Sequence, residues 1–189
     1  MAVSQTVETE ELNTCLYIEL YNPDQASQPL YAFLPLNRRQ THEAEDPLRF
    51  GRDGAACTFG LNDPRVSRKQ FSVQAYRLPG SPRMLFALQN MSQKSRMTVG
   101  GKQLGYLERV ELDDKALVRF GKYELLLRVE PGDGQARFEV LLQTRHTPLS
   151  REMGVDVQCR QPVMDAGIIS PHQDKETLTR EPSESDDTW

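Results

Sequence analysis

Short runs in which apolar and polar residues alternate constrain this chain more than any other feature. Leu16, Ile18 and Leu20 alternate with Tyr17, Glu19 and Tyr21. A period of two puts successive side chains on opposite faces, which is a strand signature. The same period returns over residues 71–75, 116–120, 123–129 and 138–142. Shorter apolar runs at 30–36, 48–52 and 110–112 read as further strands, and 84–88 as one buried on both faces. The stretch 37–47 is polar and reads as a loop. Turn chemistry punctuates the runs at Asn22-Pro23-Asp24, Leu78-Pro79-Gly80-Ser81-Pro82, Phe120-Gly121-Lys122 and Pro131-Gly132-Asp133-Gly134. No segment carries the 3.6-residue period of an amphipathic helix. Many short strands at close spacing predict an all-β fold, an antiparallel β-sandwich over residues 14–144. Residues 1–13 and 145–189 lack periodicity and read as disordered N- and C-terminal tails.

Charge follows the same division. Residues 1–14 hold three acids and no base, 15–144 hold 18 bases and 15 acids, and 145–189 hold 5 bases and 9 acids. A net charge of −4 with no basic stripe argues against a nucleic-acid partner. No apolar run approaches the ~20 residues of a membrane span, and no charged-then-apolar leader opens the chain. Cys15, Cys57 and Cys159 make an odd set without metal spacing, so neither a disulfide framework nor a metal site is expected. The reading is an intracellular, cytoplasmic protein without a cofactor. His42, His146 and His172 have no partnered acid nearby, and no nucleophile or phosphate-loop motif is present, so the chain does not read as an enzyme.

Polar residues gather where strand runs end. Gly51-Arg52, Arg65-Val66-Ser67-Arg68-Lys69-Gln70, Asn90-Met91-Ser92 and Gly100-Gly101 each close or follow an apolar run. A guanidinium fork, a hydroxyl, a carboxamide and further cations on neighbouring loops suit a dianion, because charge-assisted bonds to phosphate are strong. Gly51 is expected to let the backbone turn sharply at Arg52. In order and spacing this set resembles the forkhead-associated (FHA) domain adaptor family. The resemblance implies phosphothreonine binding by Arg52, Ser67, Arg68, Asn90 and Lys94, with Gly51 shaping the turn. Lys69 and Arg96 are further cations for that pocket. Gln70 stands where the family has a loop-buttressing His, Gly100-Gly101 where it has Asn-Gly, and Gln89 where it often has a cation.

The tails supply the other halves of that function. Thr9 lies among Glu8, Glu10 and Glu11 and is followed at the third position by Leu12. The resemblance implies that Thr9 is a phosphorylation site for an upstream threonine kinase and that Leu12 is a specificity contact; Thr6 and Thr14 are rival acceptors. Near the C-terminus, Pro182, Glu184 and Asp187 form Pro-x-Glu-x-x-Asp. This resembles the peptide bound by TRAF-family E3 ubiquitin ligases, which adds to a sheet edge. The resemblance implies an innate-immune adaptor that forms homodimers and phosphorylation-dependent higher oligomers and engages a TRAF ligase in NF-κB signalling. A reader of a foreign phosphoprotein that does not self-assemble is the alternative, and a purely structural sandwich is a third.

Overall fold

The structure, a computed structural model, describes residues 12–154. Thr9, Pro182, Glu184 and Asp187 lie outside the described residues. The strands are β1 (Thr14–Tyr21), β2 (Arg39–Glu43), β3 (Leu48–Gly51), β4 (Phe59–Gly60), β5 (Phe71–Arg77) and β6 (Met84–Asn90). They continue with β7 (Met97–Val99), β8 (Lys102–Leu104), β9 (Arg109–Glu111), β10 (Lys115–Phe120), β11 (Tyr123–Glu130) and β12 (Arg137–Thr144). They form a seven-stranded sheet, β2-β12-β1-β11-β10-β7-β8, and a five-stranded sheet, β4-β3-β5-β6-β9. The β-sandwich expected from the alternation is present, with one refinement. Both sheets are mixed, because β1 runs parallel to β12 and β3 parallel to β4.

Burial follows the period of two. In β1, Leu16, Ile18 and Leu20 are buried and face the core. The core joins the inner faces of both sheets, and Phe50, Phe59, Phe71, Phe86 and Phe138 are its largest fully buried side chains. Phe86 of one sheet meets Phe138 of the other at 5.2 Å between ring centroids, and Phe71 meets Phe120 at 5.6 Å. Such aromatic pairs add specific geometry to the apolar burial.

Three sequence expectations fail for physical reasons. Residues 30–34 form turns instead of a strand, with Ala32 N donating to Pro29 O at 3.3 Å and Leu34 N to Tyr31 O at 3.0 Å, and Leu36 makes only an isolated bridge to Leu142. Pro29 precedes the run and Pro35 interrupts it, and neither offers a backbone donor to a ladder. Leu30, Tyr31 and Leu34 still bury, but as a plug over the core rather than as alternate strand positions. The polar stretch 37–47 holds β2, an edge strand with Arg39, Thr41 and Glu43 exposed. Charged residues protect such an edge and hide it from an apolar pattern. Residues 145–154, assigned to the tail, are packed: Leu149 is wholly buried against Leu117 and Leu126 on the outer face of β10 and β11. Two apolar residues in a polar run, Leu149 and Met153, leave no period to detect.

Candidate phosphate-reading cleft

One cross-strand line sets out the site. Phe50 of β3 pairs with Phe59 of β4 and with Phe71 of β5, and Phe71 pairs with Asn90 of β6. Rings Phe50 and Phe71 stack at 4.5 Å between centroids. Past this line at the same end of the sheet come Gly51-Arg52, the loop 61–70 that leads into Phe71, and Met91-Ser92. The loops converge on an open cleft of ≈ 740 Å³. Arg52, Ser67, Arg68, Lys69 and Lys94 line it, with Ser92, Ser95 and Tyr106. Residues from the 51–52, 65–70 and 90–92 motifs are therefore brought together, while Gly100-Gly101 does not line the cleft.

Gly51 acts by close approach and not by the sharp turn expected of it, since its backbone is not in the left-handed region. A Cβ there would lie 2.1 Å from the Arg68 carbonyl oxygen. The contact lets Arg52 N donate to Ser67 O at 3.1 Å and Asp53 N to Arg68 O at 3.2 Å. These bonds hold the Arg52 and Ser67 loops side by side. The Cys57 thiol also donates to Arg68 O, at 3.2 Å, and burial raises its pKa. The true left-handed pair is Gly100 (φ 55°) and Gly101 (φ 86°), which closes the β7–β8 hairpin. Two positive φ values in succession suit a tight hairpin and favour glycine.

Ser67 owes its orientation to a chain of donors. Gln70 is buried; its Oε1 accepts from Ser67 N at 3.2 Å and its Nε2 donates to Ser95 Oγ at 2.7 Å. Ser95 Oγ donates to Ser92 Oγ at 3.0 Å, which also accepts from Lys94 N and Ser95 N. Ser92 Oγ and Ser67 Oγ share a hydrogen bond at 2.6 Å in which either hydroxyl can donate. Where Ser92 donates, the Ser67 proton is left for a ligand in the cleft. Ser92 and Ser95 received no role from sequence; hydroxyls this common carry no signal until the fold joins them.

Asn90, expected to touch phosphate, does not face the cleft. It is fully buried, with Nδ2 donating to Ser95 O at 3.2 Å and Leu104 O at 3.1 Å, and Oδ1 accepting from Ser92 N at 3.0 Å. Its position at the end of β6 makes it the brace of the 91–95 loop. Gln89 also turns aside, donating to Leu107 O at 3.0 Å. Arg96 lines a separate groove with Arg119 and Lys122.

A second brace lies behind the 61–70 loop. The buried Asp63 carboxylate accepts from Arg65 N, Nε and Nη2 and from Tyr123 OH, each at 2.9 Å. Burial pushes this carboxyl up, but the Arg65 and Tyr123 bonds outweigh it and hold its pKa below the usual value. Arg65 also reaches Asp24 at 2.7 Å, as does Lys122 at 3.0 Å. Arg65 is thus committed to structure although it borders the cleft. Arg52, Arg68, Lys69 and Lys94 are exposed and pair with no carboxylate among the described residues. Leu12 stands at the far end of the sandwich. Its side chain is exposed, and its carbonyl accepts from Asp133 N at 2.7 Å and Gly134 N at 3.2 Å.

A mixed β-sandwich whose loops gather a hydroxyl and cations without carboxylate partners among the described residues fits an FHA domain, a protein-interaction module. Residues 48–121 match the FHA domain family model. TRAF-interacting protein with FHA domain-containing protein A of Rattus norvegicus is 30% identical over 91% of this chain and 92% of its own length. The Homo sapiens protein A is 34% identical over 74% of this chain and 75% of its own. The Homo sapiens protein B is 33% identical over 72% and 81%. The chain belongs to the family of TRAF-interacting proteins with FHA domains.

Proposed function

We propose that the chain is a signalling adaptor whose FHA domain binds phosphorylated Thr9 of neighbouring copies. The oligomers so formed recruit and activate a TRAF-family E3 ubiquitin ligase through Pro182, Glu184 and Asp187, for NF-κB signalling. The names of the relatives support the TRAF partner. The observation that carries the phosphate half is Arg52, without a carboxylate partner among the described residues, lining one cleft with Ser67, whose hydroxyl is held by the Gln70-Ser95-Ser92 chain. Arg52 and Ser67 hold the phosphate, Arg68 and Lys94 add field, and Gly51 and Asn90 fix the loops. An unmodified Thr9 is a neutral hydroxyl. Phosphorylation by an upstream threonine kinase adds about −1.5 to −2 charge and three acceptor oxygens. Each bond from a charged donor contributes about 1.5–3 kcal/mol.

Geometry supports binding between molecules. The tail leaves the body at the 131–134 turn, where Leu12 is held. The cleft stands beyond the other end of β1, where Asp24 pairs with Arg65. Eight strand residues at about 3.3 Å each separate the two ends by roughly 23–26 Å. Thr9 is three residues before Leu12, a reach of at most about 11 Å. Its phosphate falls short of its own cleft. A contact between unlike surfaces need not close, so it generates chains of molecules. Homodimeric units would make each species bivalent and add avidity. Leu12, three residues beyond Thr9, would lie beside the neighbour's cleft.

Light scattering of the full chain before and after stoichiometric phosphorylation of Thr9 tests this reading. Growth to large species, reversed by a phosphothreonine-9 peptide, is expected. An unchanged mass with the phosphate in place would refute self-assembly. Glu184→Ala is expected to spare the oligomers and abolish capture of the ligase.

A further inference from the structure

The cleft carries more positive charge than one phosphate matches. Arg52, Arg68, Lys69 and Lys94 line it without carboxylate partners among the described residues. Asp53 is the one carboxylate in the lining, and its Oδ1 already accepts from Ala55 N at 3.1 Å and Ala56 N at 3.3 Å. Arg65 is held by Asp63 and Asp24. A phosphate of charge about −2 therefore leaves cations over. Clustered like charges repel, and a ligand that brings further negative charge relieves the repulsion.

We infer that Lys69, Lys94 and Arg68 form a second reading surface, which recognises carboxylates on both sides of the phosphothreonine. This inference rests on the phosphothreonine reading and gives it a sequence preference. The tail fits it, because Glu8 precedes Thr9 and Glu10 and Glu11 follow it. The same surface chooses among the tail's threonines. Thr6 stands between Gln5 and Val7 and offers no adjacent acid. Thr14 is excluded separately, being fully buried in β1 with its Oγ1 accepting from Gly132 N. The partner is thus an acidic-flanked phosphothreonine peptide, of which a second copy's tail is the example in this chain.

The test is calorimetric titration of tail peptides (residues 3–14) into the full chain carrying Thr9→Ala, which removes self-assembly. The Thr9 phosphopeptide is compared with its Glu8→Gln, Glu10→Gln, Glu11→Gln counterpart. Exposed ion pairs contribute about two- to fivefold each, so the neutral-flanked peptide should bind roughly tenfold or more weakly. The gap should shrink in 0.5 M salt, where screening acts within about 4 Å. Lys69→Gln should narrow the gap by lowering affinity for the acidic peptide. A peptide phosphorylated at Thr6 should bind more weakly than the Thr9 phosphopeptide. Equal affinity of the acidic and neutral-flanked phosphopeptides would overturn the inference and leave the phosphothreonine reading standing. Absence of binding by either phosphopeptide would overturn both.

Discussion

Replacing Gly51 with alanine tests whether the site depends on close backbone contact. The added Cβ would sit 2.1 Å from Arg68 O and 2.8 Å from Arg68 C, both backbone atoms that cannot rotate away. A normal contact needs at least about 3.2 Å, so the Arg52 and Ser67 loops must separate by roughly 1 Å. That movement stretches Arg52 N to Ser67 O and Asp53 N to Arg68 O, now 3.1 and 3.2 Å. Overpacking costs about 1–3 kcal/mol. Loss of two backbone hydrogen bonds adds about 0.5–1.5 kcal/mol each. A total of about 2–6 kcal/mol, centred near 4, lowers the midpoint of thermal unfolding by roughly 10–15 °C in a body of this size. Binding of a phosphothreonine-9 peptide should fall at least tenfold, because the guanidinium and the hydroxyl no longer share one geometry. Urea unfolding at 25 °C and calorimetric titration measure the two effects. Unchanged stability with full peptide affinity would show that the loops accommodate the methyl group, and the account of Gly51 would fail.

Ser95→Ala removes the link between Gln70 and Ser92, and peptide affinity is expected to drop several-fold with only a small loss of stability; unaltered affinity would refute the donor chain. His42 lies between Phe59 and Phe138 with its Nε2 buried and unpartnered, and burial lowers its pKa against a weaker upward pull from Asp46. Its folded pKa lies below the unfolded value of about 6.5, so stability is full above that pH and declines as pH falls through the folded pKa; His42→Gln should flatten this decline in a urea series between pH 7.5 and 5, and an identical slope in the variant would exclude His42 as its source. Gln70→His should introduce a new loss of peptide binding toward pH 5, read by titration at several pH values, and a pH-independent variant would contradict the bridging role.

Legibility followed the physics of each element. Strands with one face in the core wrote their burial into a period of two, so β1, β5, β10, β11 and β12 stood out. Strand β2 did not, because an edge strand keeps charge outward and has no apolar partner set. The strands β4, β7 and β8, two or three residues long, are too short for a period. In the site, Arg52 and Ser67 were legible as a pair because their chemistry suits the phosphate the proposed function assigns, and the structure places both on one cleft. Asn90 was legible as important, but its role was not, since the same amide serves a ligand or a loop and only burial decides. The brace of Asp63, Arg65, Asp24 and Tyr123 joins residues up to 99 positions apart. No local spacing announces such a group.

Two kinds of polar residue build this site, one behind the cleft and one lining it. Braces such as Gln70, Asn90 and Asp63 are buried and satisfied, so they hold geometry and add no attraction for a ligand. The cations are exposed and unpaired, so they attract but have no fixed place of their own. Gln70 joins the two sets. One amide accepts from Ser67 N and donates to Ser95, and an amide does both at every physiological pH. An imidazole at that place keeps both bonds in one neutral tautomer only and loses the acceptor when protonated. With Gln70 the geometry of Ser67 is independent of pH; under the proposed function, charge at the cleft would change through the ligand, the tail threonine being weakly held until phosphate is added. A switch that resides in the ligand requires a reader whose own framework does not titrate, and the carboxamide at position 70 meets that requirement.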